Sequence, residues 1–173
     1  MKKIIFFLCL FLLVSFKSPN NNDVSIIVHF EQILNEYRVS NGLNPVKIDH
    51  SIKEFTDLRS KSLVTDYSHN GFKENIKSFN FNGKSGGENI AMVRNVSNNN
   101  KPYWSSNIKE IGDILNKMAM GTSTNYDVAL YCFLKWKHSP SHNDLLLNPK
   151  IKKFHLSYEK SETFYYFCFI GFD

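Results

Sequence analysis

The strongest constraint on the fold is the last segment of the chain, where nearly every residue is aromatic or apolar. Residues 163–172 alternate imperfectly between apolar and polar, which is typical of a strand that is covered on both faces. A second β-like run, residues 153–159, precedes it after a short polar connection. Because helical patterns fill the chain before this pair of runs, the sequence predicts an α+β fold packed in layers.

Apolar residues that recur at three- and four-residue steps predict four amphipathic helices before the hairpin. The second helix is expected to open with a capping box formed by Ser51 and Glu54. A fifth, short helix is expected to begin at Ser139, with Pro140 in its first turn. Residues 67–89 show no sustained period and are predicted to be dominated by loops, with a short strand leading into Ile90 and Ala91. The four longer helices are expected at about 24–40, 51–66, 108–120 and 124–138.

The N-terminus has the pattern of an export signal. Lys2 and Lys3 precede an apolar run over residues 4–14 that would span about 16 Å as a helix, roughly half of a bilayer core. Residues 1–18 are therefore predicted to be a signal peptide, with an uncleaved anchor as the alternative. The remaining single domain, residues 24–173, is expected to be secreted and to have no stable membrane span after cleavage.

Removal of that segment changes the charge of the chain. The full sequence has 21 basic and 16 acidic residues, and the segment contains three of the lysines and no acid. The mature net charge is then +2, and no basic cluster longer than two residues lies in the domain. The sequence therefore predicts no nucleic-acid partner.

Two cysteines, Cys132 and Cys168, remain after cleavage. An oxidising compartment would permit a disulfide between them. The alternative is that both are small buried hydrophobic residues.

Three segments carry most of the functional information: Ser68-His69-Asn70-Gly71-Phe72, Gly86-Gly87-Glu88-Asn89-Ile90-Ala91 and Trp136-Lys137-His138-Ser139-Pro140-Ser141-His142. Together with the run Leu34-Asn35-x-x-Arg38-x-x-x-Gly42-Leu43-x-Pro45, they resemble the CAP superfamily (the SCP domain of cysteine-rich secretory proteins, antigen 5 and pathogenesis-related proteins). The resemblance is to its short, cysteine-poor, bacterial-type branch. It implies an α-β-α sandwich, with helices on both faces of a mostly antiparallel sheet.

The resemblance also implies a surface cleft lined by two histidines and two acids. His69 and His142 match the histidines, and Glu88 matches the acid of the Gly-Glu-Asn-Ile motif, which also contains Asn89. Ser139 stands where longer members have the second acid, and Glu74 or Asp144 could substitute for it. Residues 94–124 form an insertion relative to short members. The expected cleft residues are therefore His69, Glu88, His142, Asn89 and Ser139.

Such a set of side chains leaves three kinds of chemistry open. Two neutral imidazoles and a carboxylate could hold zinc or another divalent cation, with His69, His142 and Glu88 as the ligands. They could instead hydrogen-bond one another and pin three loops together. A metal ion with an open coordination position could also be catalytic, although the sequence assigns no catalytic residue.

The leading functional hypothesis is a secreted, non-enzymatic protein that binds a ligand outside the cytoplasm. The resemblance implies a lipid, a sterol or a cell-envelope component as the class of partner. A metal-assisted hydrolase or peptidase that uses the same cleft is one alternative, and a structural or adhesive envelope protein is another.

Overall fold

The computed structural model describes residues 25–78, 86–95 and 108–173. The predicted signal peptide and parts of the predicted insertion therefore lie outside the described residues. The described chain contains six α-helices, one short 3-10 helix and four strands. In chain order these are α1 (Ile26–Ser40), β1 (Lys47–Ile48), the 3-10 helix (His50–Ile52), α2 (Lys53–Ser62), α3 (Phe72–Ser78), β2 (Gly86–Arg94), α4 (Lys109–Ala119), α5 (Asn125–Lys137), α6 (Pro140–Leu146), β3 (Lys153–Lys160) and β4 (Phe164–Phe172).

The strands form a mixed sheet in the order β1-β3-β4-β2. β1 pairs with β3 in parallel, whereas β4 is antiparallel to both β3 and β2. β4 therefore lies inside the sheet and β2 lies at its edge. The interior position of β4 accounts for its apolar sequence, because an interior strand can be covered on both faces. The fold class is α+β, as predicted.

Successive residues of β4 contribute to two different hydrophobic clusters. Phe167 and Phe169 belong to the larger cluster, which also contains residues of α1, α4 and α5. Cys168 and Ile170 belong to the smaller cluster, with residues of α2 and partly buried residues of α3. Because neighbouring side chains of a strand point to opposite faces, the two clusters lie on opposite sides of the sheet.

Of the two interpretations left open for the cysteines, the structure does not contain the disulfide, for the same reason. Cys132 on α5 belongs to the larger cluster and Cys168 to the smaller one. Both cysteines are free and buried. They act as small hydrophobic residues, which was the alternative interpretation.

Helix starts follow the sequence in some places and depart from it in others. Thr124 forms a capping box with Asp127 at the start of α5. The capping box expected for α2 is wrong: the Asp49 side chain instead accepts a hydrogen bond from the Ser51 backbone, and α2 begins one turn later. An aspartate just ahead of the turn can reach the free amide, so the serine is not needed as the cap.

The prediction for residues 67–89 is also partly wrong. α3 lies within this stretch and was not expected, whereas the expected short strand is present as β2, which is longer than predicted and begins at Gly86. Both elements are stabilised by tertiary contacts and not by a strong local period: Phe72 and Ile76 of α3 pack against the smaller cluster, and β2 pairs along its whole length with β4.

A buried arginine ties α1 to the segment between α6 and β3. Arg38 is 1% exposed, and its guanidinium donates hydrogen bonds to the backbone carbonyls of Asn44, Leu146, Asn148 and Ile151. Burial lowers the pKa of Arg38. The contacts fix α6, which carries His142, relative to the larger cluster.

Candidate functional site

The site is organised by two consecutive residues of the edge strand β2. Glu88 and Asn89 point to opposite sides of the sheet, as neighbours on a strand must. Glu88 contacts Arg59 of α2, and Asn89 contacts His142 of α6. One short stretch of strand therefore holds elements that pack on different sides of the sheet.

Glu88 is a buried carboxylate with every oxygen in use. Its Oε1 accepts a 2.6 Å hydrogen bond from Arg59 Nε, and Oε2 lies 3.2 Å from Arg59 Nη2. The thiol of Cys168 lies 3.6 Å from Oε1. Although burial opposes the charge on Arg59, the hydrogen bonds and charge of Glu88 outweigh it and raise the arginine pKa.

The same carboxylate orients His69. The His69 Nδ1 lies 2.8 Å from Glu88 Oε2, and because a carboxylate only accepts, Nδ1 is the donor. Arg59 also donates to the carbonyl of Ser68, which fixes the backbone just before the histidine. The His69 side chain is 54% exposed. In its neutral form, the ring therefore presents Nε2 to solvent as an acceptor.

His142 is held by hydrogen bonds with Asn89 and Ser139. The Asn89 side chain donates a 2.9 Å hydrogen bond to the His142 carbonyl, and His142 Nδ1 lies 2.8 Å from the hydroxyl of Ser139. Ser139 is the N-cap residue of α6, as predicted, but its side chain does not cap the helix backbone. Burial lowers the pKa of His142, and the neighbouring His69 and Lys135 act in the same direction.

The two imidazole rings lie close together. Their centroids are 6.4 Å apart and their planes are inclined by 38°. Within the described part of the chain, neither Nε2 atom has a hydrogen-bond partner. When the Ser139 hydroxyl donates to His142 Nδ1, the His142 Nε2 carries the proton. With His69 in its neutral form, the two rings then offer one donor and one acceptor.

The absence of a side chain at Gly87 allows α6 to approach the strand. A Cβ atom at this position would lie 3.1 Å from Leu145 Cδ1 of α6. Gly86 is under a stronger restriction, because a Cβ atom there would lie 2.3 Å from the carbonyl oxygen of Gly171. The glycines of the motif therefore set the spacing between β2 and its neighbours.

The donor set fits a three-ligand metal site poorly. The described residues include no group of three or more His, Cys, Asp and Glu side chains arranged to hold a metal ion. Glu88 is committed to Arg59 and His69, so it orients one imidazole and is not a free ligand. Asp144 is exposed, and the side chain of Glu74 lies outside the described residues.

Sequence reasoning missed the residue that compensates the charge of Glu88. Arg59 is 5% exposed and continues the buried stripe of α2 that contains Ile52 and Phe55. A charged residue at helical spacing within an apolar stripe needs a buried partner. The position of Arg59 within an apolar helical stripe was therefore the sequence signal that could have identified it as the partner of a buried acid.

Comparison with known proteins supports the fold. No protein-family model matches the sequence, and no curated protein matches it. The solved structures that are similar to this chain include three that are described here in turn. A cysteine-rich secretory protein from Staphylococcus aureus has a TM-score of 0.55 at 13% identity, over 84% of this chain and 38% of its own. An extracellular protein containing an SCP domain, from Bacillus anthracis, has a TM-score of 0.54 at 16% identity, over 84% of this chain and 40% of its own. An outer surface protein from Borrelia burgdorferi has a TM-score of 0.55 at 17% identity, over 83% of this chain and 88% of its own.

The chain thus spans about two fifths of the length of the first two of these proteins. The resemblance inferred from the sequence is confirmed at the level of the fold. Among the helices that the structure describes, none is long and apolar enough to cross a bilayer.

Proposed function

We propose that this chain, which has the fold of the SCP-domain proteins, is a secreted, non-enzymatic binding protein whose ligand occupies the cleft between His69 and His142. The apolar run behind Lys2 and Lys3 supports export, and two of the similar structures are described as an extracellular and an outer surface protein. We also propose that the helices packed against the two hydrophobic clusters form the two outer layers of an α-β-α sandwich.

The observation that carries this proposal is the pair of anchored imidazoles. Each ring has its Nδ1 held by a neighbour, Glu88 or Ser139, and each leaves Nε2 for a ligand. Rings held in this way lose little side-chain freedom when a ligand binds, so less free energy is spent on ordering them.

Two other functions have weaker support. A metal-assisted hydrolase would need Glu88 as a ligand or a base, and both of its oxygens are already hydrogen-bonded. A purely structural role would not by itself account for two rings 6.4 Å apart whose Nε2 atoms both lack a partner among the described residues. Zinc bound by the imidazoles alone would have two protein ligands, fewer than the three or four of typical protein zinc sites.

The test is a ring-proton NMR titration of the full chain, in which each histidine reports contact with its own ring. The probes are Zn²⁺, inorganic phosphate, acetate and the neutral sugar N-acetylglucosamine. We expect at least one probe to shift the His69 and His142 signals saturably. Replacing either histidine with alanine should weaken the binding affinity reported by the other ring at least fivefold.

His138 is the matched control, because it lies at the end of the neighbouring helix and is exposed. His138→Ala should leave the titration unchanged. If no probe changes the ring-proton chemical shifts of His69 and His142, or if it changes them no more than the shift of the His138 ring, the binding proposal is overturned. Binding of Zn²⁺ alone would favour the metal version of the proposal.

A further inference from the structure

Helix α2 is attached to the sheet by two polar contacts that lie in one row across three strands. His155 on β3 and Glu88 on β2 are both in register with Ile170 of β4, which lies between them. Neighbouring strands are about 4.8 Å apart, so the two residues lie about 10 Å apart on the face that packs against α2. Thr56 contacts His155, and Arg59, one helical turn later, contacts Glu88. One helix therefore joins a buried histidine to the carboxylate of the candidate site.

The hydrogen bonds around His155 form a chain with one direction. Ser157 donates to the Asp57 carboxylate at 2.6 Å, because a carboxylate only accepts. The remaining contacts, 2.9 Å between the Thr56 and Ser157 hydroxyls and 2.7 Å between His155 Nδ1 and Thr56, are then both hydrogen bonds only when Thr56 donates to Ser157 and the ring donates to Thr56. The neutral ring therefore carries its proton on Nδ1. Its buried Nε2 is an acceptor without a partner among the described residues.

A second proton on His155 is incompatible with this packing. It would bind at Nε2, where none of the described residues offers an acceptor, and it would leave a buried cation. Burial, and then the positive charge of His50, lowers the pKa of His155 to about 4. The charged and titratable groups around the ring come from the 3-10 helix, its N-cap, α2 and the start of β3, and they are His50, Asp49, Lys53, Asp57 and Lys153. Uptake of the proton therefore favours a state in which the ring has left α2 for water.

We propose that protonation of His155 detaches α2 from β3 and thereby withdraws Arg59 from Glu88, so that His69 loses its fixed orientation in acid. Thr56 and Arg59 are both buried and lie three positions apart, on one face of the helix. A movement of α2 away from β3 therefore displaces the guanidinium as well. The loss of ligand affinity that follows rests on the binding function proposed above.

The experiment follows NMR signals of the full chain between pH 7.5 and pH 4.5 with no ligand present. The Nε proton of Arg59 reports the contact with Glu88, and the indole proton of Trp136, which donates to the carbonyl of Ile90, reports the integrity of the larger cluster. After correction for the intrinsic pH dependence of exchange, the opening constant at Arg59 should rise about 70-fold, the ratio given by pKa values of 6.5 and about 4. His155→Gln should keep this rise below about threefold. The Trp136 signal should persist in both proteins.

The reverse direction of the coupling is tested with Glu88→Gln. Coupling between two sites is reciprocal, so a weaker contact with Arg59 should raise the pH at which the His155 ring takes up its proton. Electrostatics alone predicts the opposite sign, because the variant removes a negative charge from the same face of the sheet. Asp127→Asn is the matched control, since it removes another buried carboxylate, one that is paired with Lys117 and lies away from α2. It should leave the His155 titration unchanged.

Equal exchange at Arg59 in the wild type and His155→Gln would overturn the inference. Loss of the Trp136 signal together with that of Arg59 would do the same, because the whole domain would then be unfolding. The Glu88→Gln titration decides the matter even where His155→Gln folds poorly: a midpoint for His155 that stays in place or moves to lower pH overturns the coupling, as does an equal rise in Asp127→Asn. Because no ligand is present, each of these outcomes leaves the binding function to the separate titration of His69 and His142.

Discussion

Acidification should destabilise this protein through a buried histidine that lies outside the candidate site. His155 on β3 is 1% exposed, and its Nδ1 lies 2.7 Å from the hydroxyl of Thr56 on α2. Its Nε2 is buried without a hydrogen-bond partner among the described residues. The neighbouring Ser157 hydroxyl donates to Asp57 at 2.6 Å, so this carboxylate is already engaged. Among the described residues, no acceptor is placed to receive a hydrogen bond from the second ring N–H that protonation of His155 would create.

The expected magnitude follows from the pKa. Burial, and then the positive charge of His50, lowers the pKa of His155 from 6.5 to about 4. The unfolded chain therefore takes up the proton at a higher pH than the folded one. The contribution of His155 to the free energy of unfolding is complete above pH 6.5, is lost as the pH falls, and is gone near pH 4. At 1.36 kcal/mol per pKa unit, the total loss is about 3 kcal/mol, of which about 2.5 kcal/mol has occurred by pH 4.5.

The assay is urea unfolding, followed by circular dichroism at pH 7.5, 6.5, 5.5 and 4.5, of the wild type and His155→Gln. Asp49, Asp57, Lys53 and Lys153 also lie around the network, and the difference between the two proteins removes most of their contribution. We expect this difference in unfolding free energy to fall by about 2.5 kcal/mol between pH 7.5 and pH 4.5. A difference that stays constant within about 0.5 kcal/mol would show that the ring is not held neutral.

Three further predictions concern the packing around β2. Gly86→Ala should cost about 3 kcal/mol of unfolding free energy in urea, because the new Cβ would lie 2.3 Å from the carbonyl oxygen of Gly171, and a cost below 1 kcal/mol would contradict this. Arg59→Met should cost about 3–5 kcal/mol, since it leaves a buried carboxylate without its cation. An unchanged melting temperature would refute it. Cys132 and Cys168 should react with a thiol reagent only after unfolding, because burial raises the pKa of both thiols. A reductant should not change the melting temperature; a drop would reveal a disulfide.

The elements that the sequence predicts well are those whose signals are local. The stripe of Ile111, Leu115 and Met118 predicts α4, and Thr124 predicts the start of α5. The apolar composition of β4 predicts a strand covered on both faces. In each case neighbouring residues contain both the pattern and its cause, so no knowledge of distant contacts is needed.

The elements that the sequence missed, or whose length it underestimated, depend on contacts between distant segments. β2 is a strand because β4 pairs with it along its length, and α3 is held by the smaller cluster. Cys168 lies across the sheet from Cys132 because strand residues alternate between faces, which counting cysteines cannot reveal. The role of His155 depends on Thr56, which lies about a hundred residues earlier.

For the site, the residue types came from the sequence and their roles came from the structure. His69, Glu88 and His142 could be named from three short segments, because a family motif conserves side-chain chemistry along the chain. Only the tertiary structure decided that Glu88 is bound by Arg59 and that the two imidazole rings lie 6.4 Å apart, centroid to centroid. These are properties of separation and burial, which are fixed when the helices pack on the sheet, and hydrogen-bond partners and electrostatic energies depend directly on both.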